Sequence, residues 1–234
     1  MVELRNCMEE LLKFTLESNT DLGFSPDLLL PSHSQTTGAE APYPLYKRLA
    51  SVLCECIESG GLCGTYDELA LCNSEKKIKE EWNELMLDKG LELVNILKTV
   101  DFELHVQEPF FTQLRDGIKT IEGRCAVGDY NRIGSGSLIL FNKCLLLEVQ
   151  EVRWYASFYE MLKAESLVKV LPGVKAIEEG VQVYRKFYSE EKENYNGVLA
   201  ICVRKPTSHL YVPLAQILSV SMLLLPYYYY SENN

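Results

Sequence analysis

Three charged residues of both signs lie within six positions of one another, in the segment Gly117–Arg124. They are Lys119, Glu122 and Arg124, and two glycines flank them. Alternate side chains of an extended strand share one face, so we expect Glu122 and Arg124 to lie together, where the carboxylate can orient the guanidinium. Lys119 lies in the turn before the strand and can reach either face. The pattern predicts a polar platform for a planar, hydrogen-bonding ligand such as a nucleobase, or for a phosphate.

The other interpretation of this segment is an exposed edge strand whose charges prevent it from pairing with another chain. Three features favour a ligand site. The acid and the guanidinium are two residues apart, the glycines let a ligand approach the backbone, and a helix end delivers the lysine. By strand alternation, Thr120 is expected on the same face as Glu122 and Arg124.

A short helix is predicted directly before this segment, at residues 109–117. Pro109 suits the first helical position, with Glu108 beside it, and Gly117 supplies the left-handed residue that ends the helix. The helix would therefore end two residues before Lys119 and hold that residue at the start of the strand.

The motif P-F-F-x-x-L-x-x-G-x-K-T-I-E-G-R at residues 109–124 resembles the signature of the ASCH domain, a PUA-like family. The resemblance continues to about Lys205 and covers somewhat under half of the chain. It implies an α+β fold, a PUA-like small mixed β-barrel with flanking helices. It also implies a cleft on the barrel, for which RNA binding has been proposed, and so a place in RNA metabolism or transcription coactivation.

In some small bacterial members, the resemblance implies hydrolysis of an N4-acetylcytidine-like nucleoside. Lys119 matches the lysine base of those amidohydrolases, but the position of their nucleophilic threonine, three residues later, holds Glu122 here. Their third residue is a glutamate, for which Glu165 is the best match. If the chain is an enzyme, the catalytic candidates are therefore Lys119, Glu122 and Glu165. Whether it is an enzyme stays open at this point.

The binding interpretation uses a wider set of residues around the same cleft. Arg124 and Lys119 would contact phosphate or base edges, and Glu122 would accept a hydrogen bond from an exocyclic amine. An aromatic side chain would stack on the base, for which Phe110, Tyr130 and Trp154 are candidates, although core packing is the favoured interpretation for Phe110 and Trp154. The predicted ligand-binding set is Lys119, Thr120, Glu122, Arg124, Tyr130 and Arg132.

The distribution of charge restricts the kind of nucleic acid that the chain would bind. The formal net charge is −10, with nine basic and seventeen acidic residues in 1–100 but fourteen and fifteen in 101–205. A protein that binds duplexes without specificity is usually basic, so we expect a small, shape-selected contact with a base or single strand. The acidic helices also allow a third interpretation, a protein-interaction adaptor.

The eight cysteines, with no recognisable export signal, indicate reduced thiols in the cytoplasm or nucleus. Four of them, Cys54, Cys56, Cys63 and Cys72, cluster without the paired C-x-x-C spacing of zinc sites, so buried thiols are the better interpretation and no metal or cofactor is expected. The apolar run at 210–225 is interrupted by Pro213 and polar residues, which argues against a membrane span.

The chain is predicted to contain three parts: a helical region at 1–100, the barrel at 101–206, and a docking helix with a frayed, tyrosine-rich end at 207–234. Helices are predicted at 3–18, 43–58 and 75–98, the last kinked or broken at Gly90. Predicted strands cover 101–106, 137–141, 144–155 and 198–203. Asn142-Lys143 is predicted to form a two-residue hairpin turn, and Ser157 to begin a helix through a capping box.

Overall fold

The computed structural model describes residues 2–18, 45–60 and 73–220. The chain divides into two compact units, one made of residues 1–99 and 208–234 and the other of residues 100–207. A loop predicted at 31–42, the cysteines Cys63 and Cys72, and the tyrosine-rich end lie outside the described residues.

The first unit is helical, as its apolar spacing predicts. Its helices are α1 (Leu4–Ser18), α2 (Leu45–Ser59) and α3 (Asn73–Lys98), and a further helix covers residues 211–220. Side chains from all four helices form its core, among them Leu11, Leu12, Leu53, Cys56, Trp82, Met86, Leu93, Leu97, Leu214 and Ile217. Among the described residues, no helix is long and apolar enough to cross a membrane.

The alternative of a break in α3 at Gly90 is wrong, because the helix runs through this residue. Gly90 is buried on the same face as Trp82 and Leu97, while Leu91 is exposed. A Cβ atom at position 90 would lie 2.9 Å from Cγ2 of Ile57. The glycine is therefore a point of close helix packing, which offsets its low helix propensity.

The second unit combines short helices with one mixed sheet, which confirms the predicted α+β class. Its strands run in the order β1-β3-β4-β5-β2 and curl into a half-barrel; only the β1–β3 pair is parallel. The strands are β1 (Phe102–Leu104), β2 (Ile121–Cys125), β3 (Leu138–Phe141), β4 (Leu145–Tyr155) and β5 (Val198–Arg204). The helices are α4 (Phe110–Arg115), α5 (Phe158–Glu165), α6 (Leu167–Val170), α7 (Ile177–Arg185) and α8 (Glu190–Asn196), with a 3-10 helix at Gly128–Arg132.

The end of α4 has the geometry that the sequence predicts. Gly117 has a φ of 74°, its amide donates to the carbonyl of Leu114 at 3.1 Å, and the Ile118 amide donates to that of Gln113 at 2.9 Å. This is a Schellman motif, which ends the helix and turns the chain towards Lys119. At the other end, Pro109 is the N-cap residue rather than the first helical residue, so the helix begins one residue later than predicted.

The turn between β3 and β4 confirms the predicted hairpin. Asn142 and Lys143 both have positive φ values, 48° and 61°, and the Cys144 amide donates to the Phe141 carbonyl at 3.0 Å. The Asn142 side chain then binds both backbone groups of Val106, accepting from its amide at 2.8 Å and donating to its carbonyl at 2.9 Å. The turn therefore holds the segment that links β1 to α4.

Two features of this unit differ from the sequence interpretation. Helix α8 was not predicted, although Ser189 caps it by accepting from the Lys192 amide at 3.3 Å. Trp154 is 61% exposed rather than packed in the core, because its ring lies over Gly197, where a Cβ atom would approach it to 2.4 Å. Ser157 is the N-cap residue of α5, as predicted, and its hydroxyl accepts a hydrogen bond from the Glu160 amide.

Two glycine substitutions in the hairpin turn separate backbone conformation from side-chain tethering. Asn142→Gly keeps the left-handed backbone but loses both hydrogen bonds to Val106, so we expect the free energy of unfolding to fall by about 1–3 kcal/mol. Lys143→Gly relieves a positive φ at an exposed side chain and should leave stability unchanged or raise it by up to about 1 kcal/mol. Urea unfolding of both variants measures the difference; equal losses would show that the tether contributes nothing.

Candidate functional site

A pocket of about 620 Å³ opens in the second unit beside β2. Its lining comes from the segment before α4, from β2, whose residues we call the floor, and from α7 with the residues after it. The lining residues are 105–110, Lys119, 122–124, Leu171, 183–184 and 186–188. The three charged residues that the sequence singles out all line this one cavity.

Lys119 is the most enclosed of the three, with an exposed fraction of 2%. Its Nζ atom donates to the carbonyl of Ile121 at 2.7 Å and to the carbonyl of Val170, and it lies 3.1 Å from Oε2 of Glu122. An ammonium group has three protons, so these three acceptors use all of them. Lys119 therefore joins β2 to α6 and fixes Glu122, rather than offering a proton to a ligand.

The same enclosure acts on the protonation of Lys119. Burial lowers the pKa of its ammonium group, the carboxylate of Glu122 opposes that change, and Arg124 adds to it. A lowered pKa is what a lysine base requires, but two carbonyl acceptors and a carboxylate beside the nitrogen favour the charged form.

Glu122 lies between two cations. Its Oε2 faces Lys119, and its Oε1 lies 2.9 Å from Nε of Arg124. Arg124 in turn donates from Nη2 to the carbonyl of His105 at 2.5 Å and is hydrogen-bonded to Tyr188. The carboxylate is thus held in one orientation at the base of the pocket, with oxygen lone pairs left over for a ligand.

Helix α7 and its extension supply lining residues that the sequence analysis did not identify, namely Tyr184, Lys186, Phe187 and Tyr188. Tyr184 and Tyr188 follow helical spacing in the sequence, and the ring of Tyr184 stacks on Phe158 with centroids 4.0 Å apart and planes 9° apart. A Cβ atom at Gly123 would lie 2.3 Å from the Tyr184 hydroxyl oxygen. The glycine of the K-T-I-E-G-R motif was the available signal, because it marks a close approach to β2.

The other predicted ligand-binding residues lie around the pocket rather than in its lining. Thr120 uses its backbone to join neighbours, donating to the Lys169 carbonyl and accepting from the Val203 amide. Tyr130 is half-buried and close enough to Arg124 to affect its pKa. Arg132 is exposed and lies 3.5 Å from Asp129.

Of the aromatic candidates, only Phe110 lines the pocket, with its ring centroid 5.8 Å from Nζ of Lys119. Across the described residues, no group of His, Cys, Asp or Glu side chains is arranged to hold a metal ion. The cysteine cluster of the sequence is only half described: Cys54 and Cys56 are buried, and burial raises the pKa of the Cys54 thiol to about 11.

Glu165, the third catalytic candidate, lies in a separate cluster and does not line the pocket. Arg153 donates to both of its carboxylate oxygens at 2.5 Å, and the Tyr155 hydroxyl donates to Oε1 at 2.6 Å. The hydrogen bonds from Arg153, helped by the one from Tyr155, hold the pKa of Glu165 below its ordinary value. The structure therefore brings Lys119 and Glu122 together but keeps Glu165 apart.

Residues 104–207 match the family model of the ASCH domain, which confirms the resemblance drawn from the motif. The crystal structure of the hypothetical protein PH0355 is similar at 44% identity, with 44% of this chain and 96% of that protein covered and a TM-score of 0.43. The solution NMR structure of protein PF0455 from Pyrococcus furiosus is similar at 45% identity, with 46% and 98% covered and a TM-score of 0.41. No curated protein matches the chain.

Removing the charge of Lys119 should destabilise the protein strongly. Lys119→Met keeps the volume but leaves two buried carbonyls and one side of Glu122 without a partner, so we expect the free energy of unfolding to fall by about 3–5 kcal/mol. The matched control is Lys175→Met at an exposed lysine, which should change it by less than about 0.5 kcal/mol. Urea unfolding measures both; a loss below about 1 kcal/mol for Lys119→Met would contradict the bridging role.

The Glu165 cluster predicts part of the acid sensitivity. The pKa of Glu165 is lower in the folded protein than in the unfolded chain, so the unfolded chain binds the proton more readily. The stabilisation from the ionised carboxylate is complete above the unfolded-state pKa near 4.5, and it is lost as the pH falls through the folded-state pKa. In Glu165→Gln this part of the loss should disappear, although the variant starts less stable at pH 7. Unfolding between pH 7 and pH 3 tests this, with the exposed Glu178→Gln as control. An unchanged acid slope in Glu165→Gln would refute it.

Proposed function

Because this chain belongs to the ASCH domain family, a PUA-like family whose fold is consistent with RNA binding, we propose that its pocket binds one nucleotide of single-stranded RNA with the base inside. The observation that carries the proposal is the Glu122 carboxylate, held between two cations at the base of an aromatic-lined cavity. A pre-oriented acceptor in such a cavity favours a flat ligand that carries a hydrogen-bond donor.

The base would lie between aromatic walls. Phe110, Phe187 and Tyr188 all line the pocket, and the ring of Phe187 is half-exposed. Base-to-aromatic stacking contributes about 1–3 kcal/mol per base and tolerates different bases. Hydrogen bonds to Glu122 and Arg124 would then fix the orientation of the base.

The phosphate would remain outside, because the buried cations are already engaged. Lys119 has used its three protons, and Arg124 is bonded to Glu122 and to the His105 carbonyl. Lys186 is exposed and lines the pocket, which makes it the better cation for a phosphate. A contact with so few phosphates predicts an affinity that falls only gently with salt.

A second candidate function, hydrolysis of an N4-acetylcytidine-like nucleoside, is favoured by one observation. Lys119 and Glu122 are paired inside the cavity, and burial lowers the pKa of the lysine. In such a reaction Glu122 would take a proton from a water molecule that attacks the acetyl carbonyl. It would then give that proton to the leaving nitrogen as the amide bond breaks, which releases acetate and cytidine. Glu165 does not line the pocket, and its carboxylate is bonded to Arg153 and Tyr155, so this step does not use it. The adaptor interpretation stays a prediction.

Binding of a fluorescently labelled single-stranded RNA, measured by anisotropy, tests the first function. We expect single-stranded RNA to bind, duplex RNA to bind more weakly, and the salt dependence to be shallow. Glu122→Gln should raise the Kd about tenfold or more, because it removes a charged acceptor worth about 1.5–3 kcal/mol. Glu103→Gln, at an exposed glutamate of β1, is the matched control and should not change the Kd.

The same protein incubated with N4-acetylcytidine separates the two functions. RNA binding without acetate release supports the proposal that the pocket binds RNA and does not hydrolyse the nucleoside. Acetate release that is lost in Glu122→Gln supports the hydrolase instead. If the protein neither binds RNA nor releases acetate, both proposals are refuted.

A further inference from the structure

We propose that the hydroxyl of Tyr184 is a ligand-contact group that, together with Glu122, selects cytosine or adenine, whose exocyclic amine lies beside an accepting ring nitrogen, over uracil and hypoxanthine. The inference deepens the proposed function and rests on it. It starts from one anomaly at the floor of the pocket: the Tyr184 hydroxyl is buried and, within the described part of the chain, has no hydrogen-bond partner.

A buried hydroxyl without a partner destabilises a folded protein, and native proteins contain few of them. Such a group often marks a place where a ligand completes the hydrogen bonds. Tyr184 lines the pocket, and the neighbours that act electrostatically on its hydroxyl, Glu122, Arg124 and Tyr188, line it as well. The unsatisfied group therefore lies among the residues that a bound base would contact.

The hydroxyl is held in place from two sides. Behind it, the ring of Tyr184 stacks on Phe158 in the core. In front of it lies Gly123. A Cβ atom at that residue would be 2.3 Å from the Tyr184 hydroxyl oxygen and 2.8 Å from Met161. Only glycine at position 123 leaves this space, so β2 and α7 together fix the hydroxyl against the pocket floor.

The two groups present different hydrogen-bonding properties. The carboxylate of Glu122 only accepts, whereas the Tyr184 hydroxyl stays protonated, since burial raises its pKa well above the ordinary value, and it can donate. Cytosine carries an amine beside a ring nitrogen that accepts, and adenine does the same. Uracil, and hypoxanthine, the base of inosine, carry a carbonyl in place of that amine, and the carbonyl oxygen would face the carboxylate and be repelled.

The test combines one variant with two ligand pairs. Isothermal titration calorimetry of the full chain measures the Kd for cytidine against uridine and for adenosine against inosine, each pair differing in the amine. We expect at least a tenfold preference for the amine-bearing member of each pair. In Tyr184→Phe, the Kd for cytidine and adenosine should rise at least fivefold while the Kd for uridine and inosine changes little, so the preference narrows.

The same variant separates a ligand-contact hydroxyl from a structural one. Because Tyr184→Phe keeps the ring stacked on Phe158 and removes an unpaired buried hydroxyl, the Tm of the ligand-free protein should stay the same or rise. Tyr195→Phe, at a tyrosine that is 90% exposed, is the control and should change neither Tm nor Kd.

Each outcome decides between the proposals. A Tm that falls in Tyr184→Phe with an unchanged preference would show that the hydroxyl is structural and overturn the inference. RNA binding that depends on Glu122 but shows no preference within either ligand pair would overturn it as well, and the proposed function would stand. If no nucleoside and no RNA binds to the unmodified chain, both are refuted.

Discussion

The buried ion pair of Lys119 and Glu122 is the interaction on which the rest of the site depends. Removing both charges from water is unfavourable, and the pair persists because two carbonyls accept hydrogen bonds from Lys119 and Arg124 forms a second ion pair with Glu122. Since the carbonyls belong to β2 and to α6, the pair also fixes the spacing between those elements. The orientation of the Glu122 carboxylate, and hence what the pocket can recognise, follows from that arrangement.

This arrangement makes the pocket more selective than its charge suggests. Two cations and one anion line it deeply, yet most of their hydrogen-bonding capacity is used within the protein. A free phosphate would find few unused donors in the interior. A neutral base that pairs with the Glu122 carboxylate and the Tyr184 hydroxyl would break few existing hydrogen bonds. The conformational entropy of these side chains is lost during folding, so binding does not have to order them.

Local signals in the sequence predicted the elements around the site. Gly117 ends α4, Asn142 and Lys143 form the hairpin turn, and Ser157 begins α5, because each of these positions is set by its own backbone and nearest neighbours. The convergence of Glu122 and Arg124 follows from strand alternation. The direction of Lys119 could not be predicted, since it precedes the first strand residue and its orientation depends on the distant carbonyl of Val170.

What the sequence could not provide was information about packing over long separations. Tyr184 of α7 lies at a helical spacing that fits a core equally well, and only its approach to Gly123 shows that its hydroxyl reaches the pocket. The role of Gly90 in the first unit could not be predicted for the same reason, because it depends on close packing against Ile57 of another helix. Glu165 was assigned by resemblance across an insertion of different length, and Arg153 explains its actual position.

The enclosure of Lys119 also determines which lysines are open to covalent modification. An amine whose protons are all engaged and whose surface is closed off cannot be reached by an acylating reagent, an acetyltransferase or trypsin without local unfolding. Lys186 at the mouth has none of that protection. Any adjustment of the pocket's charge by acetylation would therefore act at its entrance and leave the ion pair beneath it intact.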